Sequence, residues 1–233
     1  MSSVQHITRT GRFQTRVVSV DPLSPRMRRI TLGSEELAGR TWPLACDIAI
    51  VLAGEDGREV RRRYTVRSAT ADTVTLDAVL HGHGPGSSWA ATVAAEDEVV
   101  FYGPRGEVEP AEADWLLALA DESGLPAVAA LAEAIPDRPV VLFAEIANED
   151  EHYSLPGSVS TTWLVRGHSA PGYPDLFLEA IEDFPPPDGR GYAYVLGESR
   201  SVVAVRDALA RLGLDRTDVY AKGYWNLNSR PTR

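Results

Sequence analysis

The stretch Arg61-Arg62-Arg63-Tyr64-Thr65-Val66-Arg67-Ser68 sets four arginines around one aromatic ring and one hydroxyl, in a run that alternates like a β-strand. Successive side chains of a strand point to opposite faces. Arg62, Tyr64 and Val66 therefore share one face, and Arg63, Thr65 and Arg67 the other. A guanidinium pairs phosphate oxygens bidentately, and a neighbouring ring adds a flat apolar surface, so the pattern suits a planar, anionic ligand. An exposed basic strand without a ligand is the plain alternative, and the flanking sequence decides between them.

Upstream, Phe13–Val20 and Met27–Leu32 read as strands on either side of a turn at Asp21-Pro22-Leu23-Ser24-Pro25, and Asp47–Leu52 as a third. Arg61–Arg67, Val74–Leu80 and Glu98–Tyr102 complete six short strands separated by turn residues, the pattern of an antiparallel barrel. Between the last two lies His81-Gly82-His83-Gly84-Pro85-Gly86-Ser87-Ser88-Trp89, where Ser87 is placed to cap a helix. A helix start entered through glycines presents free N–H groups to an anion; a plain capped helix is the alternative.

Gly103-Pro104-Arg105-Gly106 and the acidic residues after it mark a boundary, giving domains 1–110 and 111–233. Beyond it, Trp115–Ala120 is a continuous apolar run of the buried-strand kind, followed by an apolar helix over Gly124–Ile135. Strands at Val140–Ala144, Thr162–Val165, Tyr192–Leu196 and Val219–Ala221 alternate with helices at Pro174–Ile181 and Ser199–Leu212. Such alternation implies a parallel sheet covered on both faces, with ligands beyond the carboxyl ends of its strands. Three segments stand there: Asp121-Glu122-Ser123-Gly124-Leu125-Pro126, Gly197-Glu198-Ser199 and Ala221-Lys222-Gly223-Tyr224-Trp225. Glu198 is placed either to accept hydrogen bonds from a ribose or to stabilise the helix that follows.

Composition narrows the function classes. The net charge of −10 speaks against nucleic acid as a partner, since phosphate neutralisation needs a basic surface. No apolar run reaches the roughly 18–20 residues that span a bilayer, and no signal-peptide pattern precedes the first strand, so a cytoplasmic protein is expected. The single cysteine, Cys46, excludes an internal disulfide and a cysteine-rich metal site. His6, His81, His83, His152 and His168 show no metal-ligand spacing, so no metal site is expected. Among 23 basic residues only Lys222 is a lysine, which marks it for a specific role or for none.

Taken in order, the pieces resemble the siderophore-interacting protein family, flavin-dependent ferric-siderophore reductases related to the ferredoxin reductases. The resemblance rests on Arg62-x-Tyr64-Thr65-Val66-Arg67, His81 with Gly84-Pro85-Gly86-Ser87-Ser88-Trp89-Ala90, Gly103-Pro104-Arg105-Gly106, Asp121–Pro126, Gly197-Glu198 and Lys222-Gly223-Tyr224-Trp225. It implies FAD on the barrel: Arg62 at the phosphates, Tyr64 against the isoalloxazine, Thr65 near the flavin N5, with Val66, Arg67, His81 and Trp89 close by. Gly86, Ser87 and Ser88 would hold the pyrophosphate. It also implies NADH or NADPH on the second domain at Asp121, Glu122, Ser123 and Glu198, and a ferric siderophore met by Lys222 and Trp225. Glu145 and the acidic Asn148-Glu149-Asp150-Glu151 run disfavour a 2′-phosphate, whereas Arg166 stands where related reductases bind one, so the expectation leans to NADPH. A flavin reductase with another acceptor and a non-catalytic flavin or siderophore binder are the competing readings. Oligomeric state leaves no mark in the sequence.

Overall fold

A computed structural model describes residues 10–227 apart from Glu55 and His83. His6 and His83 lie outside the described residues. The chain divides into two compact units, one ending at Glu109 and one starting at Pro110.

The first unit is a closed barrel in the order β1-β2-β5-β4-β3-β6. Its strands are β1 (Gly11–Ser24), β2 (Met27–Gly33), β3 (Asp47–Ala53), β4 (Glu59–Ala69), β5 (Thr73–Val79) and β6 (Glu98–Arg105). Every pairing is antiparallel, and β1 against β6 closes the ring. Alternation sends Phe13, Ile30, Leu32, Ile48, Ile50, Val66, Leu76 and Phe101 inward to one core. β4 pairs β5 only over Val66–Ala69, so its Glu59–Thr65 part is laddered to β3 alone.

Two expectations shift. The proposed turn at Asp21–Ser24 is strand: Asp21 pairs Arg29 and Pro22 pairs Arg28, and a register shift follows at Pro22/Ser24. A bulge is where proline is tolerated inside a sheet. The second shift concerns β4. Its alternation breaks at Thr65, Val66 and Arg67, all buried, because the register against β5 slips between Val66 and Ser68. Arg67 is the extra residue of this bulge, which bends the strand and re-aims its side chain.

The single helix between β5 and β6, α1 (Gly84–Thr92), starts three residues before the expected cap. Gly84 has φ +77°, so the helix is entered through a glycine in the left-handed region.

The second unit is a parallel sheet in the order β11-β10-β7-β8-β9. Its strands are β7 (Trp115–Ala120), β8 (Val140–Ile146), β9 (Val159–Val165), β10 (Gly191–Glu198) and β11 (Val219–Trp225). Helices α2 (Leu125–Ala134), α3 (Asp175–Glu182) and α4 (Ser199–Ala208) connect them. All of β7 is buried, as a central strand covered on both faces must be. β11 is longer than expected: Lys222, Gly223 and Trp225 pair with Leu196, Gly197 and Glu198, so this motif is strand, not a loop beyond it. Among the described residues no helix is long and apolar enough to cross a membrane.

Candidate functional site

The first unit offers a cradle where β4 meets the start of α1. Tyr64 donates its hydroxyl to the Gly86 carbonyl at 3.0 Å, and its ring centroid lies 5.4 Å from that of Trp89. Burial raises the phenol's pKa above its ordinary value, against the opposing pull of the Arg62 charge, so Tyr64 stays protonated as a donor. A Cβ on Gly86 would come within 3.0 Å of the Tyr64 oxygen and 3.1 Å of Arg62 Cγ. Glycine is therefore what lets the helix start approach the strand this closely.

Arg62 is half-buried, and its guanidinium donates to the carbonyl of Arg61 at 3.0 Å. Among the described residues it has no carboxylate partner, unlike Arg61, which pairs Glu59, or Arg29, which pairs the buried Asp77. A guanidinium that pairs no carboxylate among the described residues, beside a glycine-entered helix start, fits a phosphate group. The Thr65 hydroxyl is buried and has no hydrogen-bond partner among the described residues. An orphaned buried hydroxyl is costly unless something outside the chain satisfies it, which fits a polar heterocycle edge. On both observations the residues present fit a bound flavin nucleotide.

The other barrel positions divide. Val66 belongs to the core, and its N–H bonds the Cys46 carbonyl at 2.8 Å, so neither its side chain nor its amide faces a ligand. Ser87 is no cap: it lies within α1, and its hydroxyl oxygen accepts from the N–H groups of His81 and Gly82, each at 3.0 Å. It fixes the loop that delivers the helix start. Ser88 and His81 are exposed beside it, and Arg67 is the buried bulge residue.

In the second unit the strand order reverses between β7 and β10, which makes their carboxyl ends the switch-point crevice of a doubly wound sheet. Asp121 sits at this point, fully enclosed. It accepts from the Ser123 amide and hydroxyl, from the Glu198 amide at 3.1 Å and from Trp225 Nε1 at 2.8 Å. Burial pushes its pKa up, and these hydrogen bonds and the neighbouring Glu122 charge only partly cancel one another. A Cβ on Gly197 would lie 2.7 Å from Asp121 Oδ2, so glycine is required for the close approach. Asp121 thus joins the ends of β7, β10 and β11. The resemblance placed Asp121 and Ser123 on the nicotinamide; the geometry ties their side chains to each other and to Trp225.

Glu198 takes the capping alternative. It is 2% exposed, its Oε2 accepts from Arg200 N at 2.6 Å and Ser201 N at 2.8 Å, and its Oε1 accepts from Leu227 N at 3.1 Å. Oε2 is thereby committed to the start of α4 and Oε1 to the chain after β11.

Arg166 is held between two carboxylates, Glu122 at 2.7 Å and Glu145 at 3.2 Å, with only 8% of its side chain exposed. This removes the ground for expecting it to hold a 2′-phosphate. Glu145 is pushed up to about 7 by burial, the Arg166 charge offsetting part of the shift and Asp121 and Glu122 adding to it. The folded state thus holds this proton more tightly than the unfolded chain. The resulting stability is present below the unfolded pKa and is lost as pH rises through about 7. The loss is worth roughly 3 kcal/mol across the window. Glu145→Gln lacks that loss. Its melting temperature, followed by circular dichroism, matches wild type near about pH 5 and exceeds it by several degrees near about pH 8. Parallel curves at both ends would refute the assignment.

Lys222 is half-buried and lies 4.9 Å from the centre of the Tyr224 ring. Two features escaped the sequence reading: the Glu145–Arg166 pair and the Asp121–Trp225 bond. Gly172 (φ +91°), where a Cβ would sit 2.9 Å from the Trp225 ring, was the available hint of a close contact at Trp225. No group of three or more potential metal ligands occurs among the described residues.

The family models agree with this geometry. The siderophore-interacting FAD-binding domain matches residues 48–108, and the siderophore-interacting protein model matches residues 113–228. The ferric vibriobactin reductase ViuB of Vibrio cholerae is 36% identical over 180 residues, covering 72% of this chain. The chain spans 65% of that relative's length. A siderophore utilization protein from T. fusca has a similar structure, at 34% identity and TM-score 0.86, with 96% of each chain covered. The siderophore-interacting protein SipS of Aeromonas hydrophila follows at 29% identity and TM-score 0.79, covering 94% of this chain and 93% of its own. Likeness to a ferredoxin NADP+ reductase from Neisseria gonorrhoeae, at 17% identity and TM-score 0.70 over 92% of this chain and 99% of that one, shows the shared fold. With the barrel's flavin cradle, the switch-point sheet and these matches along both units, the chain belongs to the siderophore-interacting protein family.

Proposed function

We propose that the protein is an NAD(P)H-dependent, FAD-containing reductase of ferric siderophores. The observation that carries this reading is the co-occurrence, among the described residues, of a buried Thr65 hydroxyl without a hydrogen-bond partner and an Arg62 without a carboxylate, on a strand that Gly86 lets the helix start approach closely. The 36% identity to a ferric vibriobactin reductase supports the substrate class.

FAD, when bound, converts the hydride of one reduced nicotinamide into electrons delivered singly, so one hydride reduces two ferric ions. The protein's part is placement. Arg62 binds phosphate, Tyr64 stays protonated and supplies a packing surface, and Thr65 donates or accepts at the heterocycle edge. Asp121 holds the Trp225 ring through Nε1 and so fixes the end of β11. Lys222, a compact point charge, attracts an anionic chelate. Reduction weakens the chelate because hard oxygen donors favour the more highly charged ion.

The test is steady-state turnover with a panel of acceptors. Ferric hydroxamate and catecholate chelates, with a ferrous trap present, are turned over faster than free flavin or quinone. Equal or better rates with quinone or free flavin would replace this reading with a general flavin reductase.

A further inference from the structure

Glu122, Arg166 and Glu145 form a buried clamp at the carboxyl ends of β7, β8 and β9. We infer that the second unit takes a dinucleotide whose adenosine ribose carries a free 2′-hydroxyl, NADH, and that this clamp turns away the 2′-phosphate of NADPH. The inference rests on the reading of the second unit as the nicotinamide-binding one.

Three observations carry it. First comes placement. Dinucleotides cross the carboxyl ends of a doubly wound sheet from the switch point, and an acidic residue at the end of the second strand takes the ribose hydroxyls where the phosphate is absent. Here Glu145 is near the end of β8, the second strand of the unit, and Glu122 and Arg166 follow the ends of β7 and β9 on either side.

Second comes the occupancy of Arg166, which among the described residues is the guanidinium that directly follows the ends of β7, β8 and β9. A 2′-phosphate needs a cation with a free bidentate edge. The Arg166 nitrogens Nη1 and Nη2 are taken by Glu145 at 3.2 Å and Glu122 at 2.7 Å, and both carboxylates are themselves largely buried. Freeing Arg166 would leave two carboxylates unpaired in a poorly solvated place, which costs far more than an exposed pair would.

Third comes the charge balance. With both carboxylates ionised the clamp is negative, and with Glu145 alone protonated it is neutral. At the neighbouring strand ends Asp121 and Glu198 stand beside the cations Arg200 and Lys222, and the second unit as a whole carries nearly twice as many acidic as basic residues. A phosphate dianion meets repulsion here, whereas a hydroxyl donates to a carboxylate.

The test uses the FAD-loaded full chain and isothermal calorimetry with ADP-ribose and 2′-phospho-ADP-ribose, alongside anaerobic flavin reduction by NADH and NADPH. ADP-ribose binds at least about tenfold more tightly than its 2′-phosphate. Glu122→Gln, the milder change because Glu122 is the most exposed member of the clamp, narrows that ratio at least about threefold by weakening the hold on Arg166. A 2′-phosphate bound equally well or better by wild type overturns the inference while flavin reduction keeps the proposed function standing. Failure of both nucleotides to bind and of both nicotinamides to reduce the flavin overturns the two together. A Glu122→Gln ratio unchanged from wild type, with an unchanged melting curve, removes the clamp as the determinant.

Discussion

Arg62→Ala purifies with little or no flavin. Its guanidinium has no carboxylate among the described residues, is half-buried beside the Gly86 approach, and bonds only a neighbouring carbonyl. Its place beside the Gly86 helix start makes it the candidate partner for a phosphate there. Charge-assisted hydrogen bonds of this kind are worth about 2–3 kcal/mol, so FAD affinity falls by about 30–150-fold. Arg62→Lys recovers only part of the loss, because an ammonium cannot present the bidentate fork. The ratio of flavin to protein absorbance after gel filtration reads the effect directly. Full flavin content in Arg62→Ala would move the phosphate site elsewhere, while the unchanged barrel core keeps the variant folded.

Glu198→Ala lowers the stability of the second unit by about 2–3 kcal/mol. The change removes a cap that takes two amides of α4 and a tether to Leu227 in one buried carboxylate. Losing a cap costs about 1–2 kcal/mol, and leaving buried donors unpaired adds to it. Thermal melting of the variant checks this. A ribose-binding role would show the opposite signature, an unchanged melting curve with a raised KM for the nicotinamide.

Much of this architecture was legible from local pattern. The barrel strands alternate, and Trp115–Ala120 is a short, continuous apolar run of the kind a buried strand shows. Departures occur where a distant partner overrules the local signal. Lys222–Trp225 extends β11 because Leu196, Gly197 and Glu198 offer it a ladder. The Arg67 bulge depends on the register against β5, which β4 alone does not encode. Ser87 has the chemistry of a cap, but Gly84 begins the helix earlier and leaves the Ser87 hydroxyl to bind the preceding loop.

The site divides in the same way. Arg62, Tyr64 and Gly86 were readable because strand alternation and a glycine-rich helix entry put them in view. Arg166 was readable as a cation and misleading as a ligand, since its two carboxylates come from β8 and from the turn after β7. Asp121 and Trp225 are 104 residues apart, and only the folded sheet brings the indole to the carboxylate.

The central claim is electron flow from a reduced nicotinamide, through FAD on the barrel, to chelated ferric iron. The most direct test is the visible spectrum of the FAD-loaded protein under anaerobic conditions, first on addition of NADH and then of a ferric hydroxamate. The account predicts that NADH bleaches the oxidised-flavin band, and that the chelate restores it with two ferrous ions trapped per flavin. A flavin that neither NADH nor NADPH bleaches, or one that stays bleached in the presence of the ferric chelate, would contradict it.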